Sequence, residues 1–307
     1  HVLAKLTAAH EGAIGPSELV ERSFGPLAGF LIGFSFWVSV WTGCVTIAVG
    51  ATSYMSSFLP VLGEYPALAA LGVIWTMTGV NLLGVRSAGS FQVVTTLLKL
   101  TPLIVVAVLI GMIFGREGTA ALAPFPAEGL SLPSVNTAAA MTLWAMIGFE
   151  AACAASHKID NPQRNVPRAT FYGALLSGII YLIVCSGITL MLPVDKVTAS
   201  PAPFELFVST FWSPGPASFV AAFAAISAIG AVNGWTLVQG ELPLEMAKRQ
   251  MMPAWFARVT ANGVPINGLL LATLLGSLLV LANSSQSMAG LFSFMALLTT
   301  SVTLWLY

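Results

Sequence analysis

Glu150 is the residue around which chemistry can be built. It closes the run Trp144-Ala145-Met146-Ile147-Gly148-Phe149-Glu150, inside an apolar stretch from about Val135 to Ser156. No other carboxylate falls inside an expected membrane span. A charge near the middle of a bilayer costs at least ~2.5–3.5 kcal/mol on insertion scales, so it marks a pathway or a site. Desolvation there disfavours the anion, which suits a group that takes up and releases a proton. The plainer role is a carboxylate that satisfies backbone donors at a helix break, and the two roles can coexist. Gly148, two residues earlier, is either a packing glycine or the point where the helix opens and exposes backbone at the midplane, as in many secondary transporters.

Four further groups join it. Lys99 lies within an apolar segment, so its ammonium either snorkels back to the surface or stands as a fixed internal cation in place of a bound Na⁺. Trp144 and Trp235 are mid-span indoles. Such rings mostly pack, but a cation over an indole face gains ~0.5–2 kcal/mol. Along a continuous helix Trp144 is about 9 Å from Glu150, a separation that suits the two ends of one small ligand. Asn233-Gly234-Trp235 is a polar, flexible patch in an apolar span. Asn81, Thr42 and Asn136 read as interhelical hydrogen-bonding groups. Cys44, Cys153 and Cys185 all fall in apolar segments and read as buried thiols packed as small hydrophobes, with neither a disulfide framework nor metal-ligand spacing.

The elements that must position these residues follow from composition. The chain is 57% hydrophobic and only 8% charged, against about 25% charged in soluble domains, and its mean hydropathy is +0.87. That describes a polytopic all-α membrane protein. A transmembrane helix needs ~20 apolar residues. Eight candidates run roughly over 27–59, 65–83, 91–114, 135–156, 171–192, 217–240, 267–282 and 289–307, preceded by a polar segment over 1–26. The segment 241–256 is amphipathic and predicts a short helix lying at the interface, with Trp255 and Phe256 at headgroup level. No strand alternation is visible, which argues against a β-barrel. A net charge of zero implies no nucleic-acid partner.

Loop charge sets orientation. Nine of the twelve basic residues fall on one side, in the segments 1–26, 84–90, 157–170 and 241–263; Arg116 and Lys196 fall on the other, and Lys99 lies within a span. The nine-residue side is expected to be cytoplasmic, in an inner cell membrane crossed many times. The chain begins at His1 and ends inside an apolar run, Leu304-Trp305-Leu306-Tyr307. Both ends look cut, as in the middle of a longer protein.

The run Trp144–Glu150, followed by Asn161-Pro162-Gln163-Arg164-Asn165-Val166-Pro167-Arg168-Ala169, resembles the amino acid–polyamine–organocation permeases. The likeness is greatest to their basic amino acid/polyamine antiporter branch, which includes arginine/agmatine exchangers. The stretches Phe24–Phe30, Gly234–Leu237 and Pro253–Val259 fit the same branch, and the likeness covers nearly the whole chain in order.

The resemblance implies a leucine-transporter-like inverted-repeat fold, usually of twelve spans. Residues 1–26 would then be the end of the second span and a cytoplasmic loop. Residues 27–307 would be a single transmembrane domain holding the third to tenth spans, with part of the substrate site carried by the first span. Carried over residue by residue, Trp144 resembles the aromatic that covers the substrate and gates the outer side. Ile147 and Gly148 resemble the unwound backbone of the site. Glu150 resembles the acid tied to pH dependence, and Trp235 the aromatic of the facing eighth span. Lys99 resembles the fifth-span lysine of proton-dependent, Na⁺-independent amino acid transporters in the wider superfamily, which the arginine/agmatine exchangers lack. Phe36 and Cys44 occupy third-span substrate positions where the branch has tyrosine and asparagine. Both changes remove polar contacts and argue against arginine as the substrate.

The expected function is secondary transport of amino acids and/or polyamines, by exchange or with a proton. Substrate binding falls to Trp144, Ile147, Gly148, Trp235, Phe36 and Cys44, and coupling or gating to Glu150 and Lys99. The expected partners are a small amino acid or amine and the lipid bilayer, with proton coupling and homodimer formation left open. No cofactor and no metal is expected. An ion channel using a mid-membrane Glu is the alternative. An enzyme is disfavoured, because His1, His10 and His157 lie in or beside polar loops and no His–Asp cluster lies in the spans.

Overall fold

The computed structural model describes residues 16–84, 98–124, 131–148 and 162–306. These form helices and turns, with no β-strand among the described residues. In chain order the helices are α1 (Pro16–Phe24), α2 (Pro26–Met55), α3 (Val61–Glu64), α4 (Pro66–Leu82), α5 (Leu100–Glu117), α6 (Leu132–Met146), α7 (Pro162–Met191), α8 (Val194–Ala199), α9 (Pro203–Phe211), α10 (Pro214–Lys248), α11 (Ile266–Ala282) and α12 (Met288–Thr303). Short 3-10 turns lie at Gly118–Ala121, Ala254–Ala257 and Leu304–Leu306. Several starts are written in the sequence. Proline stands at the first or second position of α2, α4, α6, α9 and α10, where its missing N–H has no helical partner to lose. Ser131 and Ser287 cap α6 and α12 by accepting from the backbone N–H groups of Ser134 and Gly290.

The stretches Pro26–Met55, Leu100–Ala121, Pro167–Met191 and Pro214–Lys248 are each long and apolar enough to cross a membrane; Pro66–Leu82, Ile266–Ala282 and Met288–Thr303 are shorter apolar helices. Their outward faces stay apolar, with Leu68, Ile104, Leu175, Phe219 and Leu278 exposed. This is a polytopic helical membrane protein. Each of the eight expected stretches overlaps one of α2, α4, α5, α6, α7, α10, α11 and α12.

Three expectations change. α6 stops at Met146, well before the expected end of its stretch at 156, and 149–156 lie outside the described residues. α7 begins at Pro162, inside the expected 157–170 loop, because proline is tolerated in the opening turns of a helix. Residues 241–248 are not a separate interfacial helix: α10 runs on through Pro243 to Lys248, and only Ala254–Ala257 forms a short turn beyond it.

Three apolar clusters hold the described helices, one of them around Trp37, Met246, Met252, Phe256 and Ala272 at the α2–α10 end; the other two are larger. In the first, Cys44, Val45, Ala48 and Val49 of α2 pack with Ala70 and Ile74 of α4, Val232 of α10, Val280 of α11 and Leu291 and Met295 of α12. In the second, Val106, Leu109 and Ile113 of α5 pack with Val184 and Ile188 of α7, Phe207 and Val208 of α9, and Ala217 and Val220 at the start of α10. α10 is shared by both, and α2 is its main neighbour. At one end of the bundle, α1 is tied to the end of α10 by ion pairs from Arg249 to Glu18 and Glu21.

Polar side chains stitch α4, α10 and α11 inside this apolar frame. Thr78 and Thr273 share a hydroxyl–hydroxyl bond of 3.0 Å, and Gln239 donates to Thr273 at 3.1 Å. Trp75 donates to Ser277 at 3.0 Å, and Asn81 donates to the Asn233 side chain at 3.0 Å. Thr42 accepts from Thr299 at 3.0 Å. Asn81 and Thr42 thus make the interhelical bonds expected of them. Asn136 is exposed on α6 and makes none among the described residues.

Pro243 explains how α10 can continue. Proline has no N–H, so the carbonyl four residues back, that of Gln239, loses its helical donor. The Trp37 indole of α2 donates to this same carbonyl at 2.9 Å in a buried position. The pair closes a hole that lipid cannot fill. The Trp37→Phe variant is therefore expected to lower unfolding stability in detergent by about 1–3 kcal/mol, the cost of leaving a buried acceptor bare. Thr46→Val is expected to cost less, because the Thr42 carbonyl that Thr46 contacts lies within an unbroken helix. Thermal unfolding of the two variants side by side checks this.

Candidate functional site

The helix break anticipated at Gly148 is built into the end of α6. Ile147 is extended (φ −67°, ψ 140°), with its N–H held by the Trp144 carbonyl at 3.1 Å. Gly148 follows at φ +123°, a backbone region that side-chain-bearing residues rarely adopt. A Cβ placed on Gly148 would lie 3.1 Å from Cζ2 of Trp235, so glycine is required both by conformation and by the indole lying against it.

The break opens into a cavity of about 730 Å³, within the size range of small-molecule sites. Its walls come from six helices and from α6 with its end. Ser39, Val40, Gly43 and Ile47 come from α2, Leu103 from α5, and Thr299 from α12. Met141, Trp144, Met146 and Ile147 come from α6 and its end, while Gly178, Tyr181, Cys185 and Ser186 come from α7. Phe204 of α9 and Trp235 of α10 complete it. Trp144 is set edge-on to Phe292 of α12, with ring centroids 5.3 Å apart. Among the described residues, no charged side chain lines the cavity. The described backbone adds a bias of its own: the C-terminal end of a helix carries a partial negative charge from its last carbonyls, and that end of α6 faces the cavity. Apolar walls, aromatic rings and a helix C-terminus favour a small molecule with a cationic end.

The structure brings Trp144, Ile147 and Trp235 to one cavity and sets Gly148 against Trp235. It places Phe36 and Cys44 elsewhere. Both are buried in α2 and neither lines the cavity; the Cys44 thiol lies in the α2–α10 seam, 3.4 Å from the Thr236 hydroxyl and 3.8 Å from the Val232 carbonyl. Lys99 immediately precedes α5 and is exposed, while Leu103, one turn further on, reaches the wall. Glu150 and Cys153 lie outside the described residues.

Sequence reasoning passed over the contribution of α7. Cys185 was expected to be a buried thiol; it is exposed, on the cavity side. The signal was present in part, since Tyr181 and Cys185 stand at i and i+4 and so share one face of α7, with Ser186 next to Cys185 in the chain.

The chain is thus a helical membrane protein with a cavity at the end of α6. Residues 1–307 match the amino acid permease family, and the chain belongs to that family. It is similar to the "Cadaverine/lysine antiporter" of Escherichia coli (strain K12), 30% identical over 295 residues, covering 94% of this chain and 66% of that protein. It is also similar to the "Putrescine transporter PotE" of the same organism, at 28% identity over 91% of this chain and 64% of that protein. A third relative, the "Putrescine transporter PotE" of Haemophilus influenzae, is 26% identical over 89% of this chain and 63% of its own length. The chain thus spans just under two thirds of the length of these relatives.

The Gly148→Ala variant is expected to destabilise the protein by about 1–3 kcal/mol, from the φ penalty and the displaced indole. Gly173→Ala, on α7 where a Cβ would meet nothing, is expected to be neutral or slightly stabilising. Thermal unfolding with tryptophan fluorescence reads both effects.

Proposed function

We propose that this chain forms the substrate pathway of a secondary transporter that exchanges an amino acid for a polyamine, or moves either with a proton. The observation that carries the reading is the meeting of the α6 break with Trp144 and Trp235 in one cavity. The names of the relatives point the same way, to lysine, cadaverine and putrescine, and favour exchange over the ion channel considered above. Fold analogy alone does not fix function; here the cavity and the family agree.

In this reading the fold is the leucine-transporter-like inverted repeat, with a single transmembrane domain over 27–307. The segments 1–26, 84–90, 157–170 and 241–263 face the cytoplasm, as their basic residues favour. The end of α6 attracts the ammonium of the substrate, and the indoles of Trp144 and Trp235 cover its carbon chain. Ile147 and Gly148 offer the opened backbone. Phe36 and Cys44 act by shaping α2 beside the cavity, since neither is among the residues that line it. Glu150 and Lys99 couple protonation to opening.

Counterflow in proteoliposomes tests this. Labelled lysine is expected to enter only vesicles preloaded with lysine, cadaverine or putrescine, with arginine a poor partner. Unitary currents without counterflow would establish a channel instead. Glu150→Gln and Lys99→Met are each expected to displace the pH profile of exchange; two unchanged profiles would remove them from the coupling.

A further inference from the structure

A second hollow, of about 560 Å³, lies on the flank of the bundle and shares no lining residue with the first. It runs along α4, between the end of α2, the short helix α3 and α10, and is lined by Met55, Leu62, Tyr65, Gly72, Thr76 and Ile229 among others. Tyr65, Leu68, Gly72 and Thr76 recur at three- and four-residue intervals, so they lie on one face of α4. Leu68, Gly72 and Thr76 are exposed, and the hollow therefore opens sideways, where a membrane's hydrocarbon would lie. The Thr76 hydroxyl is spent on the Gly72 carbonyl at 2.6 Å. Among the described residues no charged side chain lines the hollow. From Tyr65 to Thr76 is ~16 Å along a helix, close to the ~15 Å hydrocarbon depth of one leaflet. Spread over that length, the volume is a trough ~7 Å across, wide enough for a hydrocarbon chain and narrower than a helix of ~10–12 Å. Tyr65, at the start of α4, is 57% exposed, and tyrosines at span ends sit at the membrane interface. Glu64 beside it is exposed and makes no ion pair among the described residues.

We propose that this trough is a binding site for a phospholipid with an ethanolamine headgroup. One acyl chain lies along α4 over Gly72, and the headgroup is held at Glu64 and Tyr65. A primary ammonium presents three N–H donors, and a carboxylate gives them a charge-assisted acceptor. The Tyr65 hydroxyl donates to the phosphate. A choline headgroup carries the same positive charge but no N–H donor, and a glycerol headgroup leaves the phosphate charge uncompensated beside Glu64. Gly72 is the floor of the trough: a Cβ there would meet nothing within 4 Å, so its missing side chain leaves room for the lipid rather than for a neighbouring helix. A second copy of the chain is the competing occupant, and the trough is too narrow to seat one of its helices. The site goes beyond the transport reading and stands whichever substrate is carried.

Native mass spectrometry of the full-length protein, stripped of lipid in detergent, tests this with added dioleoyl phosphatidylethanolamine, phosphatidylcholine or phosphatidylglycerol. One phosphatidylethanolamine is expected to bind about ten-fold more tightly than either of the others, the worth of a hydrogen bond to a charged group. Gly72→Leu fills the trough and is expected to weaken that binding at least about ten-fold. Gly79→Leu is the control. It lies on the same helix, its Cβ also meets nothing within 4 Å, and it does not line the trough. Its binding is expected to stay within about two-fold of the unmodified protein. Thermal unfolding verifies that both variants are folded. Glu64→Gln is expected to keep a bound lipid while the preference for ethanolamine over glycerol falls below about three-fold. Should Gly72→Leu not fold, this headgroup preference and its loss in Glu64→Gln decide alone. Equal binding of the three lipids by the unmodified protein overturns the site, as does equal weakening in Gly72→Leu and Gly79→Leu. A dimer that dissociates in Gly72→Leu but not in Gly79→Leu gives the trough to a second copy and overturns the lipid.

Discussion

Within hydrocarbon no backbone carbonyl can be left bare, and the organisation of this protein follows from how it treats two places where a helix would be expected to stop. At Pro243 the lost helical bond is replaced. The Gln239 carbonyl is met by the Trp37 indole, and α10 passes through without ending. At Gly148 the helix instead ends, and its last residues face a cavity. The first treatment makes a rigid seam between α2 and α10, and the second makes a site. The seam is reinforced by small residues. At the α10–α11 crossing a Cβ on Gly268 would fall 2.6 Å from the Pro243 ring and 3.1 Å from the Gly240 carbonyl, so the helices approach as closely as backbone permits.

The cavity inherits its chemistry from this frame. α2 and α12 supply hydroxyls that are spent on their own backbones, which keeps those helices regular. α6 supplies a helix end, α10 an indole, and α7 Tyr181, Cys185 and Ser186. A site assembled in this way is neutral in its described side chains yet electrostatically biased by backbone. Its described side chains offer a cation neutral and aromatic surroundings rather than a fixed counter-charge.

Much of this was legible in the sequence, for physical reasons. Apolar runs and proline positions marked the helices, because both act locally. The conjunction of Gly148 with a nearby acid and indole marked the break, and Trp144 and Trp235 prove to share a wall. Other features depend on rotation about helix axes, which a sequence of nearly uniform apolarity does not encode. Cys44 is turned to the α2–α10 seam, Phe36 is buried one turn before Val40 and outside the cavity lining, and Cys185 faces the cavity, though all three sit in similar apolar surroundings. The continuation of α10 through Pro243 was hidden for another reason. Its repair comes from Trp37, some two hundred residues distant in the chain.

The contact between Gly148 and Trp235 limits how the site can vary. Since the indole occupies the space a Cβ would need, ring and break fill one volume and cannot be placed independently. Trp235 in turn rides on the α10 side of the repaired seam, whereas Gly148 rides on the end of α6. A rotation of the indole and a shift of the end of α6 therefore bear on the same contact. A displacement between α6 and α10 changes that contact and the width of the cavity beside it.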